Sequence, residues 1–166
     1  AQGMAICFNE NDVRCMGRDA AGVRGITLSE GDFVIGAEKM EEGKTLLTIT
    51  ENGYGKRTEL PEYLRTGPDG EKIPQSRGGK GLKNYNITPK TGNIAGCRVV
   101  GDNDDVMIIE NGGVIIRVPA ASINVYKRDV QGVIVMRVDE GNKVVSIERV
   151  EAEEAQETQE TQEKPE

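Results

Sequence analysis

The sequence feature that most limits the possible fold is an internal repeat of about 50 residues. Three glycine-led segments align: Gly3–Phe8, Gly53–Thr58 and Gly113–Val118. Each is followed, after 19, 28 and 19 residues, by a glycine with an apolar neighbour, at Gly22, Gly81 and Gly132. The longer middle spacing is explained by an insertion at Arg65–Ile73, and an arginine precedes the second glycine by four residues every time, at Arg18, Arg77 and Arg128. The pattern predicts three units, at residues 1–43, 44–104 and 105–150.

Each unit is predicted to contain four strands. Strand one is expected at Thr45–Thr50 and Val106–Glu110, each running into a Glu-Asn-Gly hairpin turn in which Asn and Gly tolerate positive φ. Strand two follows that turn. Strand three is expected at Val23–Leu28, Leu82–Ile87 and Val133–Val138, and strand four at Phe33–Ala37, Ile94–Val100 and Lys143–Val150. Repeated four-stranded units are typical of propeller blades, so we predict an all-β, propeller-like fold with about three blades.

The first unit enters the pattern at strand two. We expect its strand one to lie upstream of Ala1, and, because Ala1 is not an initiator methionine, we expect the chain to be part of a longer protein. An array opened in this way presents an unpaired strand edge, which favours self-association or local compensation.

A glycine-rich cationic loop lies in the second unit, at Gln75-Ser76-Arg77-Gly78-Gly79-Lys80-Gly81. Glycine lets the backbone approach a ligand closely, and successive N–H groups in such a turn can face an anion, with Arg77 and Lys80 adding full charges. No acidic residue occurs from Lys72 to Gly101, whereas six cations do: Lys72, Arg77, Lys80, Lys83, Lys90 and Arg98. The loop is therefore interpreted as phosphate-facing, and the alternative is a solvated hairpin loop.

Composition excludes several classes of chemistry. The chain has no histidine, which removes Ser-His-Asp and Cys-His nucleophiles and histidine metal sites, and no catalytic site is expected. The three cysteines lack metal-ligand spacing and suggest reduced thiols in a cytosolic protein. Neither a metal nor a cofactor is expected. No apolar run approaches the ~18 residues of a membrane span.

Two sets of motifs resemble a known family. Met4-Ala5-Ile6, Asp12-Val13-Arg14, Met16-Gly17-Arg18 and Gly22-Val23-Arg24-Gly25-Ile26 form one set, and Asn52–Thr58, Glu62-Tyr63 and Arg77–Gly81 form the other. They resemble the C-terminal domain of the DNA gyrase A protein, over residues 3 to about 150. The resemblance implies a β-pinwheel, usually of six blades, whose rim binds and wraps duplex DNA.

The resemblance also assigns a motif to the cationic loop. The family's wrapping box reads Gln-(Arg/Lys)-Arg-Gly-Gly-(Arg/Lys)-Gly, and Ser76 replaces its first basic residue here. The segment resembles a late, degenerate copy of the box, and a strict copy is expected upstream of Ala1.

The implied DNA-binding residues fall into two groups. The first comprises the box and its neighbour: Gln75, Arg77, Gly78, Gly79, Lys80, Gly81 and Lys83. The second comprises Arg18, Arg128, Lys56 and Arg57. For Arg18 and Arg128 the alternative is a structural contact between blades, to a carbonyl or an acid, and for Lys56 and Arg57 it is an ordinary exposed strand position.

The resemblance further implies partners: duplex DNA, the remainder of the gyrase A protein upstream, and the gyrase B protein in an A2B2 complex. The parent would be a cytoplasmic, nucleoid-associated, ATP-hydrolysing DNA topoisomerase, without a catalytic site in this segment. Two alternatives stay open: the C-terminal domain of a topoisomerase IV A protein, and a protein-interaction propeller that does not bind DNA.

The last 16 residues differ from the rest. Residues 151–166 hold seven glutamates against Lys164, a charge of −6, so the −7 of the chain leaves −1 for residues 1–150. With no β-branched apolar or aromatic residue, this tail is predicted to be disordered. It is either a solubilising end or an electrostatic competitor of DNA for the basic surface.

Overall fold

The computed structural model describes residues 1–150, which form an all-β structure without an α-helix. Nothing helical in this part of the chain has the length and apolar character needed to span a bilayer. Short 3-10 turns lie at Glu10–Asp12, Leu60–Tyr63 and Ala120–Ser122. The strands are β1 (Met4–Ala5), β2 (Thr45–Thr50), β3 (Tyr54–Glu59), β4 (Arg65–Thr66), β5 (Lys72–Ile73), β6 (Leu82–Lys83), β7 (Ile94–Val100), β8 (Asp105–Glu110), β9 (Ile115–Pro119), β10 (Val133–Ile134) and β11 (Val144–Val150).

Two antiparallel sheets form the body of the molecule. One has the order β10-β3-β2-β7 and the other the order β11-β8-β9. Strands one, two and four of the second and third repeats are thereby confirmed, with ends that agree with the prediction to within one residue for strands one and four. The predicted all-β class is confirmed as well.

The core lies where these two sheets meet. It consists of buried apolar side chains from both sheets, from the turn after β9 and from the segment after β10: Leu47, Ile49, Val100, Val106, Ile108, Ala120, Ile123, Met136, Val144 and Ile147. Burial alternates along β8, in which Val106 and Ile108 are fully buried. Removing this apolar surface from water holds successive repeats together.

Strand three departs from the prediction, because it does not join the sheet of its own repeat. β10, in the third repeat, pairs with β3 of the second, and β6, in the second repeat, pairs with β1 of the first. Each exchanged strand is two residues long, whereas Leu82–Ile87 and Val133–Val138 were predicted. A blade is thus built from strands two, one and four of one repeat and strand three of the next.

The first repeat contains only β1 as a regular strand. The predicted strands at Val23–Leu28 and Phe33–Ala37 do not form. In the other repeats strand four pairs with strand one. Residues 1–150 contain no strand one for the first repeat, and Phe33 and Val34 are each 60% exposed. A strand needs a neighbour to satisfy its backbone hydrogen bonds, which explains the difference.

Two smaller expectations have different outcomes. The insertion in the second repeat is confirmed as a separate hairpin in which β4 pairs with β5. The Asn-Gly turns differ from the prediction, since among residues 1–150 positive φ occurs at glycines alone. Gly53 closes its turn at +77° and donates to the Thr50 carbonyl. The acidic tail lies outside the described residues.

Candidate nucleic-acid interface

Two loops occupy equivalent places in the fold. The first loop, Gln75–Gly81, lies against the Gly3–Phe8 segment of the first repeat, and the second loop, Tyr126–Gly132, lies against the equivalent Gly53–Thr58 segment of the second repeat. The backbone N–H of Gln75 donates to the Cys7 carbonyl and that of Tyr126 donates to the Arg57 carbonyl, both at 2.8 Å. These residues are themselves equivalent in the repeat, so the fold places the two loops in the same way.

A glycine closes each loop at a point of close backbone approach. Gly81 and Gly132 both have a φ of +75°. A Cβ on Gly81 would lie 2.3 Å from the Ala5 oxygen, and one on Gly132 would lie 2.4 Å from the Gly55 oxygen. Only glycine fits both the dihedral and the space.

The arginine of each loop bonds to the preceding repeat. Arg77 Nη1 donates to the Arg24 carbonyl at 2.5 Å, and Arg128 Nη1 donates to the Lys83 carbonyl at 2.8 Å. Arg77 Nε also donates to the Asp12 carbonyl at 3.0 Å. The contact between repeats that was the alternative for Arg128 therefore exists, and Arg77 makes the same one.

The charges of the two arginines are balanced differently. Glu62 lies 3.8 Å from Arg128 Nε, whereas Arg77 has no carboxylate partner among residues 1–150. Both arginine residues are half-buried. A backbone carbonyl is neutral, so its hydrogen bond does not compensate the positive charge of an arginine. Arg77 therefore keeps an uncompensated positive charge at the edge of the fold.

The first loop uses much of its backbone for internal contacts. Gly78 N–H donates to the Gly25 carbonyl, and the carbonyls of Gly78 and Gly79 accept from Thr27. The Gln75 side chain donates to the Tyr63 carbonyl at 3.1 Å. The amides of Gln75 and Gly78 therefore do not contribute to the predicted anion-binding turn, and attraction for phosphate has to come from side-chain charge.

Exposed lysines supply that charge. Lys80 and Lys83 are exposed, as is Lys127 in the second loop. Lys83 Nζ donates only to the neutral Asn86 side chain, at 3.0 Å. The contact from Arg128 to the Lys83 carbonyl joins the second loop to β6, which directly follows the first loop. The cations of the two loops and of β6 are Arg77, Lys80, Lys83, Lys127 and Arg128. We call these five residues the basic edge.

Arg18 stands apart from the basic edge. It is exposed, and no hydrogen bond or ion pair joins it to another of residues 1–150. Arg98 also falls outside the edge, since its guanidinium pairs with Glu148 at 2.9 Å and with Glu38 at 3.4 Å.

Burial contradicts the predicted DNA contacts of Lys56 and Arg57. Lys56 is 0% exposed, and its ammonium donates to the carbonyls of Lys127 and Arg128 beneath the second loop. Arg57 is 6% exposed and lies 2.5 Å from Asp102, with Nε donating to the Ile123 carbonyl. Neither charge can reach a phosphate outside the fold.

Lys56 instead supports the second loop from within. Its ammonium lies 5.1 Å from the centre of the Tyr85 ring. Burial lowers the pKa of Lys56 to about 8, although the charge of Asp129 acts in the opposite direction. The repeat alignment could have indicated that position 56 is buried, because the equivalent residues in the other repeats are the apolar Ile6 and Ile116.

Arg24 is a cation that the sequence reasoning did not assign to the interface. It is exposed and occupies the position in the first repeat that Lys83 occupies in the second. Its carbonyl accepts from Arg77, which brings it next to the first loop. The same repeat alignment could have identified it.

Comparison with known proteins places this geometry in a family. The family model described as DNA gyrase C-terminal domain, beta-propeller, matches residues 1–39, 44–101 and 104–151. The chain is 40% identical over 152 residues to the DNA gyrase A protein of Staphylococcus epidermidis and 37% identical over 150 residues to that of Escherichia coli K12. Each alignment covers 90% of this chain, which spans 16% of the length of those relatives.

Solved structures agree with the family match. A DNA gyrase A C-terminal domain superposes with a TM-score of 0.78 and 28% identity, covering 89% of this chain and 47% of that one. The C-terminal domain of DNA topoisomerase IV superposes with a TM-score of 0.79 and 26% identity, covering 91% of this chain and 45% of that one. With the family model matched over nearly all of residues 1–150, the chain belongs to the DNA gyrase C-terminal domain family.

Proposed function

We propose that this chain binds and wraps duplex DNA without sequence specificity, as part of the C-terminal domain of a gyrase A protein. The observation that carries the proposal is the basic edge, in which Arg77, Lys80 and Lys83 project from a β framework with no carboxylate partner among the described residues. Membership of the gyrase C-terminal domain family supports it.

The physical task of such a domain is to offset the stiffness of DNA. The duplex is stiff over ~150 base pairs, and bending a short site costs several kcal/mol. Cations fixed along an outer edge neutralise successive phosphates and release counterions, which favours the bent state. Recognition through phosphates carries no sequence information, so binding is expected to depend on charge and DNA deformability.

The rigidity of the edge matters as much as its charge. The arginines are tied to carbonyls of the preceding repeat, and the loops are closed by glycines that lie against neighbouring backbone. A cation that is already placed loses little conformational entropy when it meets a phosphate. The residues proposed to contact DNA are Arg77, Lys80, Lys83 and Arg128, with Arg18 and Arg24 as further cations on the first repeat; Gln75, Gly78, Gly79 and Gly81 shape the loop.

The parent assembly is part of the proposal. We infer a bacterial, cytoplasmic and nucleoid-associated gyrase, in which this domain supports ATP-dependent negative supercoiling by the A2B2 complex with the gyrase B protein. The segment itself is proposed to be non-catalytic. The structural match to a topoisomerase IV C-terminal domain keeps that enzyme as a second candidate parent.

A binding assay with a random duplex of about 40 base pairs tests the core of the proposal. Affinity is measured by fluorescence anisotropy across a salt series for the wild type and for a Lys80→Gln/Lys83→Gln variant. At about 0.9 per phosphate contact, loss of two contacts reduces the slope of log K against log salt by about 1.8.

Lys143→Gln is the matched control, because its ammonium already pairs with Glu51 at 3.2 Å. It is expected to leave both affinity and slope unchanged. Salt-insensitive binding, or none, by the wild type would favour the protein-interaction propeller. Introduction of negative supercoils by the intact parent distinguishes gyrase from topoisomerase IV.

A further inference from the structure

The middle of the first loop is bonded to the repeat before it. The N–H of Gly78 donates to the Gly25 carbonyl at 2.8 Å, and the carbonyl of Gly78 accepts from the Thr27 hydroxyl at 2.7 Å. The carbonyl of Gly79 accepts from the Thr27 N–H, also at 2.8 Å. These hydrogen bonds on two adjacent residues fix the path of the backbone directly before Lys80.

The middle of the second loop lacks these bonds. Asp129 and Val130 occupy the positions of Gly78 and Gly79 in the repeat alignment. No hydrogen bond joins either of them to another residue in the described part of the chain. The backbone of the second loop is therefore held at its two ends and by whatever bonds reach Lys127 and the residue after it.

Lys56 bonds to the second loop from inside the fold. Its ammonium donates to the carbonyl of Lys127 at 2.7 Å and also to that of Arg128. The equivalent residue beneath the first loop is Ile6, whose side chain has no donor. A loop whose middle is bonded to the preceding repeat thus lies on an isoleucine, and a loop without those bonds lies on a lysine.

A buried ring and two carboxylates hold the Lys56 ammonium in place. The centre of the Tyr85 ring lies 5.1 Å from it, and Tyr85 is 1% exposed. The negative charges of Asp129 and Glu62 attract the ammonium, whereas the positive charge of Arg128 repels it. The ammonium is therefore confined between a buried side chain and the backbone of the second loop.

The two residues whose carbonyls accept from Lys56 are the two cations of the second loop. The side chain of Lys127 is exposed and has no carboxylate partner among residues 1–150. A hydrogen bond to a carbonyl restricts the backbone from which the side chain projects. A cation on a restricted backbone loses less conformational entropy when it meets a phosphate.

We propose that Lys127 is a further DNA contact and that Lys56, which does not reach the phosphate itself, is its positioning residue. The buried ammonium holds the backbone from which the side chains of Lys127 and Arg128 project. This inference rests on the proposed function, the binding of duplex DNA. The first loop has no such requirement, because Gly25 and Thr27 already hold its backbone.

A double-mutant cycle between Lys56→Ile and Lys127→Gln tests the proposal. The dissociation constant for a random duplex of about 40 base pairs is measured by fluorescence anisotropy. At ~50 mM salt, Lys127→Gln is expected to raise it about tenfold in the wild type, the effect of one lost phosphate contact. In the Lys56→Ile background the same change is expected to raise it about threefold or less, because residues that act together are not additive.

Lys80→Gln is the matched control for the cycle. The bonds of the first loop do not involve Lys56, so Lys80→Gln is expected to raise the dissociation constant by the same factor in both backgrounds, to within about twofold. Isoleucine stands at the equivalent position of the other two repeats, which favours folding of the Lys56→Ile variant. Lys56→Met, which keeps the length of the side chain without a donor, repeats the cycle with a different shape.

A second measurement needs no DNA. Backbone ¹⁵N relaxation of the free protein reports the order of each amide, with values of about 0.85 for a rigid backbone and below about 0.6 for a flexible one. In Lys56→Ile the order parameters of Lys127 and Arg128 are expected to fall towards the flexible value. Those of Arg77 and Lys80 are expected to stay as in the wild type.

The possible contrary results have different meanings. Equal factors for Lys127→Gln in both backgrounds, or unchanged order in the second loop, would overturn the positioning role of Lys56. Loss of the Lys80→Gln effect in Lys56→Ile would overturn it as well, since Lys56 would then support the whole fold. A wild type without salt-sensitive binding would refute the proposed function and the Lys127 contact together, and the relaxation data would still decide whether Lys56 holds the loop.

Discussion

The first and second loops share a backbone and differ in what supports it. Both begin with a hydrogen bond to a carbonyl of the preceding repeat, Cys7 for the first loop and Arg57 for the second. Both bond through an arginine to a carbonyl at an equivalent position of the preceding repeat, and both close on a glycine at +75°. Beneath the first loop, the side chain of Ile6 lies 3.7 Å from the point where a Cβ on Gly79 would be. Beneath the second, the equivalent position holds the buried ammonium of Lys56.

The loops also differ in charge at equivalent positions. Gly78 and Lys80 of the first loop correspond to Asp129 and Gln131 of the second. The first loop is thus acid-free, whereas the second carries Asp129 and has Glu62 near its arginine. The backbone geometry of the loops therefore depends on a few glycine and arginine positions, while the net charge of each loop varies independently of that geometry.

The largest expected effect comes from the positions that the loops share. Gly81→Ala and Gly132→Ala are each expected to lower the free energy of unfolding by about 3 kcal/mol. Each substitution places a Cβ on a residue with left-handed φ, and that Cβ also clashes with a backbone carbonyl. Denaturant titration measures the change. Gly141→Ala, at +84° with open space around it, isolates the dihedral cost of about 1 kcal/mol. If only one loop variant is destabilised, the two loops are not equivalent.

Replacing Lys56 beneath the second loop by isoleucine, the residue type beneath the first loop, is expected to have the next largest effect on stability. Lys56→Ile leaves two carbonyls without their donor and is expected to cost about 2 kcal/mol of stability, measured by chemical unfolding. Lys127→Ala removes an exposed side chain but keeps its carbonyl and should be neutral. Stabilisation by Lys56→Ile would mean that the cost of burying the charge exceeds its hydrogen bonds.

The same lysine makes the second loop sensitive to pH. Burial lowers the pKa of Lys56 to about 8, whereas the unfolded chain keeps a value of about 10.4. Between these values the unfolded chain binds more protons, so stability rises with pH, by at most about 1.4 kcal/mol per pH unit. The measurement is the unfolding free energy of the wild type minus that of Lys56→Ile from pH 7 to 10. A difference that falls above pH 8 would contradict the lowered pKa.

The smallest expected effect is an exchange of charge between the loops. Lys80→Gln is expected to reduce the slope of log K against log salt for duplex binding by about 0.9, and Gln131→Lys to increase it by the same amount. The double exchange should restore the wild-type slope, which anisotropy across a salt series can measure. A slope that stays low in the double variant would show that the two loops do not meet DNA equally.

Several features of the fold and interface could be predicted from the sequence. The repeat located strands one, two and four of the second and third repeats, and the motifs identified the family. The placement of Lys56 and Arg57 was not predicted, since strand alternation does not tell which face of a central strand the next repeat will cover. The alignment of Lys56 with Ile6 held that information, but a charged residue is buried so rarely that exposure was the natural expectation.

What the sequence determined by itself is the periodic part of the protein: three repeats, the glycines and arginines that recur in them, and strands one, two and four of the second and third repeats. Local dihedral preferences and alternation act within a few residues, so they can be read without a structure. Only the tertiary structure decided that strand three belongs to the neighbouring blade, that Phe33–Ala37 forms no strand, and that Lys56 lies under a loop about 70 residues away. Those outcomes depend on which distant segment is present to satisfy a backbone edge or a buried charge.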